Sequence, residues 1–181
     1  VLDLADRSLH DAVIHDNFVG HDDFLVRKIL RDLALSLNHV HESGRIHADF
    51  KPLNAVIVGS TWRLIDLDTS CLIGESFGIK PPSSGYCPPE MSRVLLSARD
   101  PITGVMDASK LSDYTASVAY DLWSFGVVMF HLVTGRPLWL TNQDDSLSFT
   151  DLHVLSEWRA TTLNEKLFDA NVMRGGNHRL A

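Results

Sequence analysis

The chain has 181 residues, 45% of them hydrophobic and 22% charged, with a formal net charge of −7. That is one domain's length with enough apolar material for a core, and the acidic balance argues against a general nucleic-acid or anionic-membrane binder. With only Cys71 and Cys87, a disulfide framework is not expected; a cytoplasmic location is the default, and no apolar run reaches membrane-spanning length.

Val1 to Asp6 reads as a strand end running into a connector that fills residues 1–20. Asp22 has the side chain of an N-cap, and Leu25, Ile29, Leu33, Leu37 and Val40 recur at helical spacing, which predicts a helix over 22–42. Gly44 ends that helix and delivers the chain to a polar loop over 46–54. The short apolar runs Ala55–Val58 and Trp62–Ile65, around Gly59, Ser60 and Thr61, predict a hairpin. The hairpin sets Asn54 and Asp66 at neighbouring strand ends, where both can face one metal. From Val118 to Thr134 an apolar stretch carrying Ser124 and His131 predicts a buried helix, stopped by Gly135 with Pro137 just beyond. Thr141 to Asp151 is a polar linker in which Asp144 and Asp145 read as solvated, and Gly175-Gly176-Asn177 suggests a loose tail.

The chemistry concentrates between Ile46 and Asp68. Asp49 can accept a hydroxyl proton or position that hydroxyl for in-line attack, and Lys51 can neutralise charge on a migrating phosphoryl group. Asn54 offers a side-chain oxygen to Mg²⁺, and the Asp66 carboxylate, twelve residues on, can hold the same ion against ATP phosphates. His39, His41 and His47 invite a zinc site, but they lack the H-E-x-x-H register and no Cys lies near.

His47-Ala48-Asp49-Phe50-Lys51-Pro52-Leu53-Asn54 resembles the catalytic loop H-R-D-L-K-x-x-N of eukaryotic-type protein kinases. Asp66-Leu67-Asp68 stands where that family has D-F-G, and Pro88-Pro89-Glu90 where it has A-P-E. Asp121-Leu122-Trp123-Ser124-Phe125-Gly126-Val127 resembles the D-x-W-S-x-G-V that opens its central helix. The resemblance implies an α+β, protein-kinase-like fold, mainly the helical C-terminal lobe with a small β-hairpin at the catalytic loop. It makes residues 1–20 a hinge-like connector, 46–54 the catalytic loop, 66–90 the activation segment and 91–117 an inserted loop. Residues 118–134 become the central helix and 141–181 a shortened C-terminal part.

The same resemblance implies ATP and Mg²⁺ as cofactors and a protein substrate bearing a Ser/Thr hydroxyl. Asp49 would act as base, Lys51 on the γ-phosphate, and Asn54 and Asp66 on the metal. Ser83 stands where a hydroxyl bonds the catalytic Asp and Lys; His47 packs beneath the Asp66 motif; Asp121 holds catalytic-loop amides. Glu90 expects an Arg partner, with Arg159, Arg174 and Arg179 as options. Ala48 replaces an Arg that reads activation-loop phosphate, so activity is expected not to depend on phosphorylation of Thr69, Ser70, Ser76 or Ser83; a steep rise with any of them would contradict this. Leu67 replaces a Phe in a packed stack, and Asp68 replaces a Gly free to adopt φ > 0.

No G-x-G-x-x-G occurs, and only Lys28 precedes the loop, so an N-terminal lobe is expected in the parent protein rather than in this chain. Two alternatives stay open. One is a pseudokinase that keeps the fold as an interaction module. The other is a small-molecule phosphotransferase of the aminoglycoside or choline kinase type, which the Ile65-Asp66-Leu67-Asp68 element also fits.

Overall fold

A computed structural model describes residues 5–100 and 102–176, with side chains as far as Ala170. Val1–Leu4 of the expected connector, the side chain of Arg174, and Asn177 and Arg179 lie outside the described residues. The fold is α+β: six α-helices and two small antiparallel sheets are described, the helices forming the bulk.

Within the expected connector, the described residues hold a strand and a helix. β1 (Arg7–Ser8) pairs antiparallel with β3 (Ala55–Val58), and α1 (Leu9–His15) follows directly. A capping box starts α1: Asp11 N donates to Ser8 Oγ at 3.1 Å and Ser8 N donates to Asp11 Oδ2 at 3.3 Å. The Ser8 hydroxyl's bond to Asp11 Oδ2 at 2.6 Å, followed by the bond from Ser8 N, holds the Asp11 carboxyl below its ordinary pKa. Leu9 and Ala12 anchor the helix in the core.

α2 (Asp23–Glu42) begins where Asp22 Oδ1 accepts from Leu25 N at 2.9 Å, and it buries Val26, Ile29, Leu33 and Leu37 on one stripe. Asp32 on α2 accepts from Lys28 at 2.9 Å and from Trp62 N at 3.2 Å, which docks the β3–β4 hairpin onto the helix. β4 (Thr61–Leu64) pairs with β3 in the register Ala55↔Leu64 to Val58↔Thr61, turning at Gly59 and Ser60 with φ +62° at Gly59. β2 (Arg45–Ile46) pairs with β5 (Cys71–Leu72), so the strand entering the 46–54 loop is held by the chain leaving Asp66.

The stretch 91–117 is not simply an inserted loop. Its first part belongs to α3 (Pro89–Ala98), opened by Pro89 and buried along Met91, Ser92, Leu95 and Ala98. Pro is well placed at a first helical position, where its missing N–H costs nothing. A 3₁₀ segment (Ala108–Asp113) then leads to α4 (Val118–Thr134). Only one side of α4 is buried, through Tyr120, Asp121, Ser124, Val127, Val128 and Leu132; Leu122, Met129 and Val133 are 57%, 43% and 47% exposed. α5 (Phe149–Ser156) takes the end of the expected polar linker, and α6 (Ala160–Gly176) continues through the glycines read as a loose tail.

Two apolar clusters meet at α4. One gathers Ile46, Ala48, Cys87, Met91, Tyr120, Val127 and Leu155; the other gathers Leu9, Ile29, Leu33, Phe50, Trp62, Val128 and Leu132. The 46–54 loop therefore plugs Ile46 and Ala48 into one cluster and Phe50 into the other.

Gly20 and Gly135 bring the α1–α2 connection against the end of α4. Gly20 N donates to Leu132 O at 2.9 Å, and a Cβ on Gly20 (φ +72°) would lie 3.0 Å from Gly135 N and 3.1 Å from Thr134 O. Gly20→Ala is accordingly expected to cost about 1–3 kcal/mol, from a left-handed side chain pressed on unyielding backbone. Urea unfolding checks this; an unchanged midpoint would refute it.

Candidate active site

Asp121 is the buried anchor of the 46–54 loop. Fully enclosed, its Oδ2 accepts from His47 N at 2.7 Å and its Oδ1 from Ala48 N at 2.9 Å. His41 Nε2 closes on Oδ2 at 2.8 Å. Ala48 takes φ +67° so that both amides converge on one carboxylate, a conformation an Ala holds only where its surroundings enforce it. His47, also fully buried, accepts from Asp49 N on Nδ1 at 3.3 Å; Nε2 then carries the proton and donates to Ile65 O at 3.1 Å. His47 thus joins the loop to the residue before Asp66, and Thr69 Oγ1 adds a bond to His47 O at 3.2 Å.

Around that anchor the reactive side chains bond to one another. Asn54 Nδ2 donates to Asp49 O at 2.8 Å and to Asp49 Oδ2 at 3.0 Å. Facing two acceptors fixes the amide's orientation, so Asn54 Oδ1 is turned away from them. Lys51 Nζ lies 3.3 Å from Asp49 Oδ2 and donates to Ser83 Oγ at 2.7 Å. Asp49 Oδ1 is buried and has no hydrogen-bond partner among the described residues. Asp49 is therefore held by one oxygen, and the other keeps its lone pairs for an incoming donor.

Asp66 is exposed and sits just past β4, with φ +64°. Ile65 N donates to Asn54 O at 2.9 Å, which puts Asn54 and Asp66 at adjoining ends of the hairpin. An amide oxygen and a carboxylate suit Mg²⁺, which takes one or two protein oxygens and completes its shell with water and phosphate. No group of three His, Cys, Asp or Glu able to hold a metal occurs among the described residues, and the three histidines considered for zinc diverge: His41 goes to Asp121, His47 to Ile65, and His39 is exposed.

Several expectations are corrected here. Leu67 is 54% exposed and packs in no stack among the described residues. Asp68, where a Gly free to adopt φ > 0 stood in the motif, has negative φ; the non-glycine left-handed positions between residues 46 and 68 are Ala48 and Asp66. Ser83 bonds Lys51 but not Asp49. Glu90 is exposed and makes no ion pair among the described residues, and the side chains of two of its expected partners, Arg174 and Arg179, lie outside them.

The largest correction concerns Asp145. Its side chain is only 15% exposed, and its Oδ2 lies 3.2 Å from Lys51 Nζ. It reaches the site because Gly85 N donates to Asp145 O at 2.9 Å and Leu147 N donates to Ser84 Oγ at 2.8 Å. Its sequence signal is confined to the turn-forming run Asn142 to Ser146, which says nothing of a partner 94 positions earlier. Arg45 likewise carries no sequence signal of its role. It donates from Nε to Ser70 Oγ and from a terminal nitrogen to Ser70 O, both at 2.7 Å, and so ties the loop's entry strand to the 66–90 segment.

The cysteines lie beside this machinery without joining it. Burial pushes the Cys87 thiol far up, and burial followed by the Asp121 charge raises Cys71. Iodoacetamide at pH 8 should mark Cys71 slowly and Cys87 only after unfolding. Rapid native labelling of Cys87, read by peptide mass, would contradict its enclosure.

No helix of the described residues is long and apolar enough to cross a membrane. The protein kinase domain model matches residues 1–173. The chain is 28% identical over 139 residues to human dual specificity tyrosine-phosphorylation-regulated kinase 3, covering 75% of the chain and 20% of that protein. It is 26% identical over 140 residues to the rat serine/threonine-protein kinase Kist, covering 76% and 32%. It is 32% identical over 154 residues to the serine/threonine-protein kinase/endoribonuclease IRE1b of Arabidopsis thaliana, covering 73% and 15%. The chain thus spans a third or less of each of these relatives. With a match across nearly its whole length and a site built as described, the chain belongs to the protein kinase domain family.

Proposed function

We propose that the chain is the catalytic lobe of a protein Ser/Thr kinase, which moves a phosphoryl group from Mg-ATP to Ser or Thr hydroxyls of protein substrates. The observation that carries this reading is the bonded set Asp49, Lys51, Asn54 and Ser83, with one Asp49 oxygen unspent. Asp49 Oδ1 accepts the acceptor hydroxyl's proton, and Asn54 keeps the carboxylate aimed. Lys51 offsets the charge that develops on the transferring group. Asn54 Oδ1 and the Asp66 carboxylate would hold Mg²⁺, which when bound screens and orients the phosphates. The Lys51–Ser83 bond favours Ser/Thr over Tyr acceptors, in keeping with the serine/threonine-protein kinase names of two relatives. In this reading a Gly-rich loop and its partner Lys and Glu belong to the native protein outside these residues, and the protein works in the cytoplasm.

The test is product analysis on the native protein at its natural length, with γ-labelled ATP and Mg²⁺. Ser, Thr and Tyr peptides and small alcohols are offered together, and phosphoserine or phosphothreonine is expected. Label found only on choline or a sugar would overturn the reading in favour of a small-molecule phosphotransferase. No label anywhere would favour the interaction module.

A further inference from the structure

Lys51 Nζ donates to Ser83 Oγ at 2.7 Å and is ion-paired with Asp145 Oδ2 at 3.2 Å and Asp49 Oδ2 at 3.3 Å. A phosphate approaching this ammonium therefore competes with two carboxylates already paired to it. Asp49 is fixed by Asn54 on the same loop. Ser83 is uncharged and is not repelled by phosphate. Asp145 is an anion whose side chain makes no hydrogen bond among the described residues, so an arriving phosphate drives it off.

The position of Asp145 is built, not incidental. Asn142 Oδ1 accepts from Asp144 N at 3.0 Å and from Ser146 N at 2.9 Å, forming a turn in which Asp145 takes φ +55°. Gly85 makes room for it, because a Cβ there would collide with the Thr141 methyl. Beside the turn lies a cavity of about 230 Å³ lined by Asp145 with His10, Tyr86, His131, Pro137 and Trp139, among others. That is below the roughly 300–1,000 Å³ of small-molecule sites and suits one side chain. Asp145 is the cavity's acidic group, and burial lowers the pKa of His131, which favours its neutral form.

We propose that Asp145 is a specificity-determining residue: a phosphoryl oxygen takes its place on Lys51, and the released carboxylate holds a Lys or Arg side chain of the protein substrate in this cavity. The proposal rests on the phosphoryl-transfer reading above. Asp49, Lys51 and Asp145 together carry one net negative charge, which an incoming phosphate deepens and a basic side chain relieves. The two ligands therefore strengthen each other, by the same factor in either order of addition.

The experiment is a binding cycle on the native protein, using inorganic phosphate and the peptide Gly-Arg-Arg-Gly-Ser-Gly at constant ionic strength. A second peptide has Gln in place of both Arg. Calorimetry should show phosphate tightening the Arg peptide by about 5-fold or more and leaving the Gln peptide unmoved. In Asp145→Asn the coupling should vanish while phosphate alone binds more tightly. Asn keeps the size of the side chain and accepts a left-handed backbone, so the turn survives. Asp144→Asn, on the same turn but not bonded to Lys51, should keep the coupling. The proposal is overturned if phosphate leaves the Arg peptide's affinity unchanged, if Asp145→Asn retains the coupling, if Asp144→Asn loses it equally, or if phosphate does not bind. No turnover is read, so the result is separable from whether the protein phosphorylates anything.

Discussion

Asp49→Asn is expected to lower phosphoryl transfer by the native protein about 10²–10⁴-fold, chiefly in kcat. Asn is close in shape and keeps an oxygen that can face the Asn54 amide, now 3.0 Å from Asp49 Oδ2. What it loses is charge and basicity, because an amide accepts no proton near neutral pH. It also weakens the hold on Lys51, which lies 3.3 Å from the carboxylate. The peptide's KM should move little, since neither change removes substrate contact area. Initial-rate kinetics beside a thermal melt would separate chemistry from folding. Undiminished kcat in a folded variant would remove Asp49 from the mechanism and leave an interaction module as the better account.

A second substitution should act on the fold instead. Asp121→Ala deletes the acceptor of two buried amides, His47 N at 2.7 Å and Ala48 N at 2.9 Å, together with the partner of His41. Hydrogen bonds to a charged group contribute about 1.5–3 kcal/mol each, and buried amides left without partners keep their desolvation cost. The expected loss is therefore about 3–5 kcal/mol, a large share of a domain's marginal stability. Asp121→Asn should cost less, because its one carbonyl oxygen still serves one amide. Urea midpoints at constant m measure the difference. A loss below about 1 kcal/mol for the Ala variant would show that Ala48's left-handed backbone is held by packing alone.

What was legible in the sequence was the local part. Asp49, Lys51 and Asn54 lie on one short loop, so their order already declares a shared site, and the Gly59–Ser60 turn places Asp66 beside Asn54. Helix α2 announced itself through its apolar spacing and Asp22. Other local signals are present as well. Ser8 and Asp11 have the spacing of a capping box, and Met91, Val94, Leu95 and Ala98 repeat helically after Pro89. Asp145 was not legible by any such rule. Its contact with Lys51 depends on the loop after α4 crossing back over Ser84 and Gly85, a tertiary event with no short-range trace. The exposed Leu67 shows the reverse failure, where a motif position suggested packing that the described residues do not supply.

Because neighbouring residues Val127 and Val128 on α4 belong to different apolar clusters, neither cluster can melt without loosening the helix that backs the other. Ile46 and Phe50 repeat that division within the loop itself. Local breathing of this loop therefore has no inexpensive route: exposing it to solvent requires a subglobal opening whose free energy approaches that of the whole domain. Leu138, Trp139 and Leu147, which flank the turn that brings Asp145, lie in the same cluster as Ile46 and Ala48, so this turn is fastened to the loop's own core.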